Sequence, residues 1–542
     1  MYVLRSGRGR GVALALGMWL GGAAAGFAQQ PPAVAKDAAQ PVCCAVLGGA
    51  GEAALSPEGK KRFADDAEKL LGAAPAGKAE WGILVVDAQS GETVYQRDAE
   101  NYFVPASNMK LFTTALALAR LGPDYRFRTT LETRGALSRK GRLAGDLVLV
   151  GRGDPNLSSR KFPFVKEAEF DGAPERALAE LVDQAVARGL REIRGDVVAD
   201  DSYFPRERYP SGWEVDDMVW SYGAAVSAIV VNDNTVTLTL VPGAAPGKPA
   251  AVTLEPWTRD FTLRNEVLTS PPGAKPDLTL TREPGAPLVV LRGTYPLKGE
   301  PRKMLLAIEE PAEHAAALLK RLLEERGVRV RGTARAQHEP PASHGLVGPA
   351  RESQVLAEHL SVPLADAVQT VNKMSENLHT ELLLRAAARQ RGPWSTAEDL
   401  AKFAAEFYAE AGIAAGDVIQ TDGSGLSRHD LVTPRAVVTL LQYAARQTWF
   451  PAYYASLPVA GADGTLLDRL KNTPAAGRIH AKTGSVEHVR SLSGFAELPG
   501  GRQVIFAILS NNQGATNHEA TAALDALCVA LVEDLGQAPA AP

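Results

Sequence analysis

The feature that most narrows the folding options is the Ala- and Leu-rich run Leu111-Phe112-Thr113-Thr114-Ala115-Leu116-Ala117-Leu118-Ala119, headed by Pro105-Ala106-Ser107-Asn108-Met109-Lys110. Ala and Leu are strong helix formers and Ser is favoured where a helix begins, so the spacing predicts a helix starting at Ser107. A residue three positions on lies one turn up the same face, which brings the Lys110 amine within hydrogen-bond reach of the Ser107 hydroxyl. A serine becomes a nucleophile when a base removes its proton. A lysine can be that base when burial or neighbouring positive charge depresses its pKa. The helix N-terminus adds N–H groups and partial positive charge beside any oxyanion formed there. Alone the pattern is weak, because Ser-x-x-Lys arises about once or twice by chance in a chain this long.

The chain leading to that helix reads as a hairpin, with Trp81 to Val86 and Glu92 to Tyr95 as strands joined by the turn Asp87-Ala88-Gln89-Ser90-Gly91. Beyond the helix the character changes. From about Arg126 to Ala336, short β-like runs such as Asp146 to Val150, Val197 to Ala199, Thr235 to Val241, Asp277 to Thr281 and Pro287 to Leu291 are punctuated by Gly and Pro. Two helical stretches interrupt them, Pro174 to Ala187 and Pro311 to Arg326, the second stopped by Gly327. Helical spacing returns from about Ser353, and a strand pair, Leu492 to Leu498 and Val504 to Leu509, precedes a last helix, Ala520 to Leu535. Such a chain of 542 residues is too long for one simple core and implies roughly two to four domains.

At the start, Arg5, Arg8 and Arg10 precede a short apolar stretch and then small residues, the three-part form of a secretory signal peptide (1–28) with cleavage after Ala28 or Ala25. An Ala/Pro/Gln-rich leader (29–51) follows and reads as disordered. The expected location is therefore outside the cytoplasm, in the periplasm or cell envelope. A net charge of −4 with no long basic run gives no case for nucleic acid as a partner. Cys43, Cys44 and Cys528 form no disulfide framework, and no His/Cys spacing resembles a metal site, so neither metal nor cofactor is expected. Gly151-Arg152-Gly153-Asp154-Pro155 fails the spacing of a nucleotide fingerprint and reads as a turn held by Asp154, while Asp200-Asp201 and Asp216-Asp217 read as loop and surface acids.

What lifts Ser107-x-x-Lys110 above chance is the order in which two further elements follow it, Ser375-Glu376-Asn377 and Lys482-Thr483-Gly484. From Ser107 to Ser375 is 268 residues, far more than a compact β-lactamase domain needs, and the excess is the β-rich region. With this trio, and with Asp422-Gly423-Ser424-Gly425-Leu426-Ser427, Gly153-Asp154-Pro155 and Asp463-Gly464-Thr465, the chain resembles the low-molecular-mass class C penicillin-binding proteins. These are D-alanyl-D-alanine carboxypeptidases/endopeptidases of penicillin-binding protein 4 type.

That resemblance implies an α/β fold, a penicillin-binding/serine β-lactamase-like catalytic domain with an antiparallel sheet between helical layers. The catalytic parts are expected at 52–120 and 345–537, interrupted by an α+β insertion at 121–344 of one or two subdomains, with a tail at 538–542. It implies peptidoglycan stem peptides as substrate and β-lactams as inhibitors. Ser107 would attack the carbonyl between two D-alanines, Lys110 would take its proton, and Ser375 would relay a proton to the leaving amine. Asn377 would hold the substrate amide, and Lys482 with Thr483 the terminal carboxylate. Gly484 would leave room for substrate along the strand. The N–H groups of Ser107 and Ser485 would form the oxyanion hole. Glu376 stands where aspartate is commoner, its side chain expected to point away from substrate. Asp154 becomes a contact to the stem peptide if the insertion folds over the cleft. Two other readings share these residues: a serine β-lactamase or penicillin sensor, and a non-catalytic peptidoglycan-binding scaffold.

Overall fold

In the strand Glu80–Asp87, Leu84 and Val86 pack into one core while Ile83 and Val85 pack into another. Gln503–Asn511 divides likewise, with Ile505, Ala507 and Leu509 on one side and Val504, Phe506 and Ile508 on the other. Strands apolar on both faces must be covered on both sides. The computed structural model meets that demand with a five-stranded antiparallel sheet in the order Thr93–Arg97, Glu80–Asp87, Gln503–Asn511, Val489–Glu497, Ile479–Val486. It describes residues 54–536, apart from 74–75, 159, 163, 166–169, 171, 340–351, 395 and 515. The expected signal peptide and leader, Cys43, Cys44 and the tail 538–542 lie outside the described residues.

One face of the sheet is covered by helices Pro57–Gly72 and Asn517–Leu535, which contribute Phe63, Leu71, Leu524, Leu531 and the buried thiol of Cys528. The other is covered by a larger helical layer comprising Met109–Leu121, Leu364–Lys373, Asn377–Arg391, Ala397–Glu410 and Pro434–Ala444. Met109–Leu121 is buried from Met109 through Leu118, as a helix apolar on all sides must be. It starts two residues later than Ser107. Ser107 sits in the 3₁₀ turn Ala106–Asn108, because Ala106 adopts a left-handed φ of 48° that no α-helix accommodates. No described helix is long and apolar enough to cross a membrane.

The β-rich stretch builds two further cores. In the first, strands Ala334–Gln337, Val197–Asp200, Leu147–Val150, Arg128–Thr133 and Gln354–Leu360 lie against helices Arg176–Ala187 and Pro311–Glu325. In the second, two three-stranded sheets, one containing Thr235–Val241 and the other Leu288–Pro296, enclose their own apolar cluster. The boundary expected at 344 moves, because Gln354–Leu360 pairs antiparallel with Arg128–Thr133 and so belongs to the inserted sheet. Its mixed polar and apolar residues had read with the helices that follow.

Candidate active site

The turn bearing Ser107 is held from several directions. Ala106 is fully buried in its left-handed conformation, which a non-glycine residue keeps only when its surroundings impose it. Asn108 Nδ2 donates to the Lys482 carbonyl at 2.9 Å, and Ser491 Oγ donates to the Pro105 carbonyl at 2.7 Å. Two glycines let backbones approach. A Cβ on Gly484 would lie 2.6 Å from Pro105 O and 3.1 Å from Ser107 N, and one on Gly425 would lie 1.9 Å from Ala106 O. Gly484 therefore makes room for the serine's own backbone rather than for substrate.

Lys110 is fully buried, and its Nζ donates to Ser107 Oγ at 3.0 Å, Asn377 Oδ1 at 2.6 Å and the Ser424 carbonyl at 2.6 Å. Burial lowers its pKa to about 8, outweighing the carboxylates of Asp422, Glu376, Glu381 and Asp430, which pull it up. Desolvation rather than a neighbouring cation is thus what frees the amine. Lys482, also fully buried, is held well below the ordinary lysine range by burial and then by Lys110. Its Nζ donates to Ser375 Oγ at 2.9 Å and to the Thr483 carbonyl at 2.7 Å. Ser375, just past the helix Leu364–Lys373, is left-handed at φ 63°. Asn377 opens the next helix and donates from Nδ2 to the Tyr222 carbonyl at 2.8 Å. Thr483 Oγ1 lies 2.8 Å from Thr465 Oγ1.

These groups meet at a cleft of ≈ 960 Å³ whose wall includes Ser107, Ser375, Asn377, Gly425 and Ser485, with Glu214, Asp217, Tyr222 and Arg428 around them. Lys110, Lys482, Thr483 and Gly484 join it through the contacts just given. Asp154 does not join them. It is buried, with its carboxylate accepting from Asn156 N at 2.8 Å and Thr129 Oγ1 at 3.4 Å, so it fixes a turn and cannot reach a peptide in the cleft. Asp217, read from sequence as a surface acid, lines the cleft instead. Glu376 points away from the cleft, toward Arg160.

A layer beneath Lys110 escaped sequence reasoning. Asp422 accepts from Trp213 Nε1 at 2.7 Å, Ser424 N at 2.9 Å and Ser427 N at 2.9 Å, shaping the loop whose Ser424 carbonyl meets Lys110. Glu381 accepts from Gly423 N at 2.7 Å and from Arg385 Nη1 at 2.5 Å, and burial pushes its carboxyl up to about 7. Asp430 is raised well above the usual range by burial and by Asp422. The run Asp422 to Ser427 was the one available signal. Chemically, the arrangement offers a hydroxyl beside a partly neutral amine, with a second hydroxyl on a second depressed amine.

Over residues 64–531 the chain matches the model of the D-Ala-D-Ala carboxypeptidase 3 (S13) family. It is 35% identical over 469 residues to a D-alanyl-D-alanine carboxypeptidase of Actinomadura sp. (strain R39), covering 84% of this chain and 82% of that one. To the D-alanyl-D-alanine carboxypeptidase DacB of Haemophilus influenzae it is 27% identical over 439 residues, 79% of this chain and 85% of that one. In fold it is similar to the crystal structure of penicillin binding protein 4 from Haemophilus influenzae, with TM-score 0.74 at 24% identity over 87% of this chain and 100% of that one. A structure of the same protein complexed with a β-lactam matches with TM-score 0.68, at the same identity and the same coverage.

Proposed function

The chain belongs to the D-Ala-D-Ala carboxypeptidase (S13) family, and from that premise we propose that Ser107 is the nucleophile of a serine carboxypeptidase acting on peptidoglycan stem peptides. The observation that carries this is the 3.0 Å contact between Lys110 Nζ and Ser107 Oγ, made by an amine whose pKa lies at about 8.

Lys110, with its lone pair turned to Ser107, takes the hydroxyl proton as Oγ attacks the carbonyl of the penultimate D-alanine. The N–H groups of Ser107 and Ser485 face the oxyanion. As the C–N bond breaks, the proton passes from Lys110 through Ser375 to the amine of the departing D-alanine, leaving an ester on Ser107. A water molecule, deprotonated by Lys110, then hydrolyses the ester. Asn377 holds the substrate amide. Lys482 and Thr483 receive the terminal carboxylate, which favours chain ends. A β-lactam undergoes the same attack, but its leaving amine stays tethered to the acyl group, so it inhibits. The signal-peptide-like pattern of Arg5, Arg8 and Arg10 before a short apolar stretch supports work outside the cytoplasm, in the periplasm or cell envelope.

The test is release of D-alanine from a peptide ending in D-Ala-D-Ala. The wild-type protein is expected to release it and Ser107→Ala to release none. Undiminished release by Ser107→Ala would overturn the assignment.

A further inference from the structure

The insertion touches the catalytic layer through a charged cluster that this reaction scheme leaves unused. Asn232, Asp233 and Asn234 succeed one another in left-handed conformation, at φ 50°, 53° and 53°. Such a turn is unfavourable for an L-chain, and Asn and Asp tolerate it because their short side chains bond locally. The two asparagines do so here. Asn234 Oδ1 accepts from Val231 N at 3.2 Å, and Asn232 Nδ2 donates to the Thr235 carbonyl at 2.9 Å. Asn234 Nδ2 donates to the Ala225 carbonyl at 3.0 Å, and Ser158 Oγ accepts from Asp233 N at 2.8 Å.

Asp233 sends its carboxylate outward. Oδ1 lies 2.9 Å from His379 Nε2, and Oδ2 accepts from Arg160 Nη2, which also reaches Glu376 Oε2 at 3.4 Å. Exposure of the Arg160, Asp233, Glu376 and His379 side chains is 6, 9, 18 and 3%. Burial works to raise the Asp233 carboxyl, but Arg160 and His379 outweigh it and keep the group ionised. Glu376 lies between Ser375 and Asn377, and His379 is two residues further on. Ser375 is left-handed without being a glycine, so the conformation of this loop has to be imposed from outside.

We propose that Asp233 is a positioning residue for the reaction: through Arg160, Glu376 and His379 it fixes the loop that carries Ser375 and Asn377. The insertion is then part of the catalytic apparatus, and the strained turn exists to deliver one carboxylate. This rests on the reading of Ser107 as nucleophile.

The test uses the full chain with Asp233→Asn, which keeps the tolerance for a left-handed backbone and removes the charge. Stopped-flow reaction with a chromogenic cephalosporin separates the dissociation constant of the non-covalent complex from the limiting rate of Ser107 acylation. The limiting rate is expected to fall about tenfold or more while the dissociation constant changes less than about threefold. Arg160→Lys, which keeps the charge, should acylate faster than Arg160→Gln. Asp260→Asn breaks a buried pair elsewhere in the insertion, 2.6 Å from His314 Nδ1, and should lower the melting temperature without slowing acylation. Wild-type rates in Asp233→Asn, or equal slowing by Asp260→Asn at equal loss of melting temperature, would refute the positioning role. A wild-type protein that is not acylated at all would instead remove the Ser107 reading, and this proposal with it.

Discussion

Lowering Lys110 from 10.5 to about 8 sets the supply of base at neutral pH. At pH 7 a lysine titrating at 10.5 is about 0.03% neutral and one titrating at about 8 is about 9% neutral, a gain of about 300-fold. The neutral form is the active one and is present above the folded pKa. Acylation should therefore rise about tenfold from pH 6 to 7 and about fivefold from pH 7 to 8, and level off above. The perturbation that isolates this effect is Lys110→Arg, since a guanidinium keeps its proton throughout that range. Acylation by a chromogenic β-lactam, followed as a second-order rate constant between pH 6 and 9.5, should fall in that variant by about 300-fold or more at pH 7 and lose its slope. A flat wild-type profile between pH 6 and 8, or an arginine variant within about tenfold of wild type at pH 7, would refute Lys110 as the base.

Lys482→Ala should lower kcat/KM by about 100-fold for a peptide with a free terminal carboxylate and by much less for the same peptide amidated there; equal losses on both would remove the carboxylate role. Gly484→Ala drives a Cβ to within 2.6 Å of Pro105 O, so it should cost about 1–3 kcal/mol in a thermal melt and slow acylation through the displaced Ser107 turn. Glu381 is fully buried with its carboxyl raised from 4.5 to about 7. The folded protein therefore binds the extra proton, and the stabilisation present below pH 4.5 is lost as pH rises through 7, by about 3 kcal/mol. Melting curves between pH 5 and 8 should show that decline in the wild type and a flatter profile in Glu381→Gln.

The parts legible in the sequence were those written in local pattern. Unbroken apolar runs marked the strands at 81–86 and 504–509, and the order of the three motifs pointed to Ser107, Lys110, Ser375, Asn377 and Lys482, whose hydrogen bonds lie around one cleft. What escaped lies where one segment answers another far away. Nothing near Asp422 announces that its loop offers a carbonyl to an amine 314 residues earlier, and nothing near Asp233 announces its partner His379, 146 residues on. Asp154 was drawn toward the cleft by its place in a family-like segment, but a carboxylate bonded to Asn156 and Thr129 inside the inserted core is spent on its own turn. Gly484 was given the right importance for the wrong neighbour, since an absent side chain does not reveal which backbone fills its space.

Ser107 Oγ is the atom that takes up the acyl group. Intact-protein mass spectrometry after mixing with benzylpenicillin, followed by digestion and peptide sequencing, tests that directly. The expected result is a single adduct of the penicillin's mass on the peptide containing Ser107, absent from Ser107→Ala. An adduct on another residue, or an undiminished adduct in Ser107→Ala, would contradict the account at its centre.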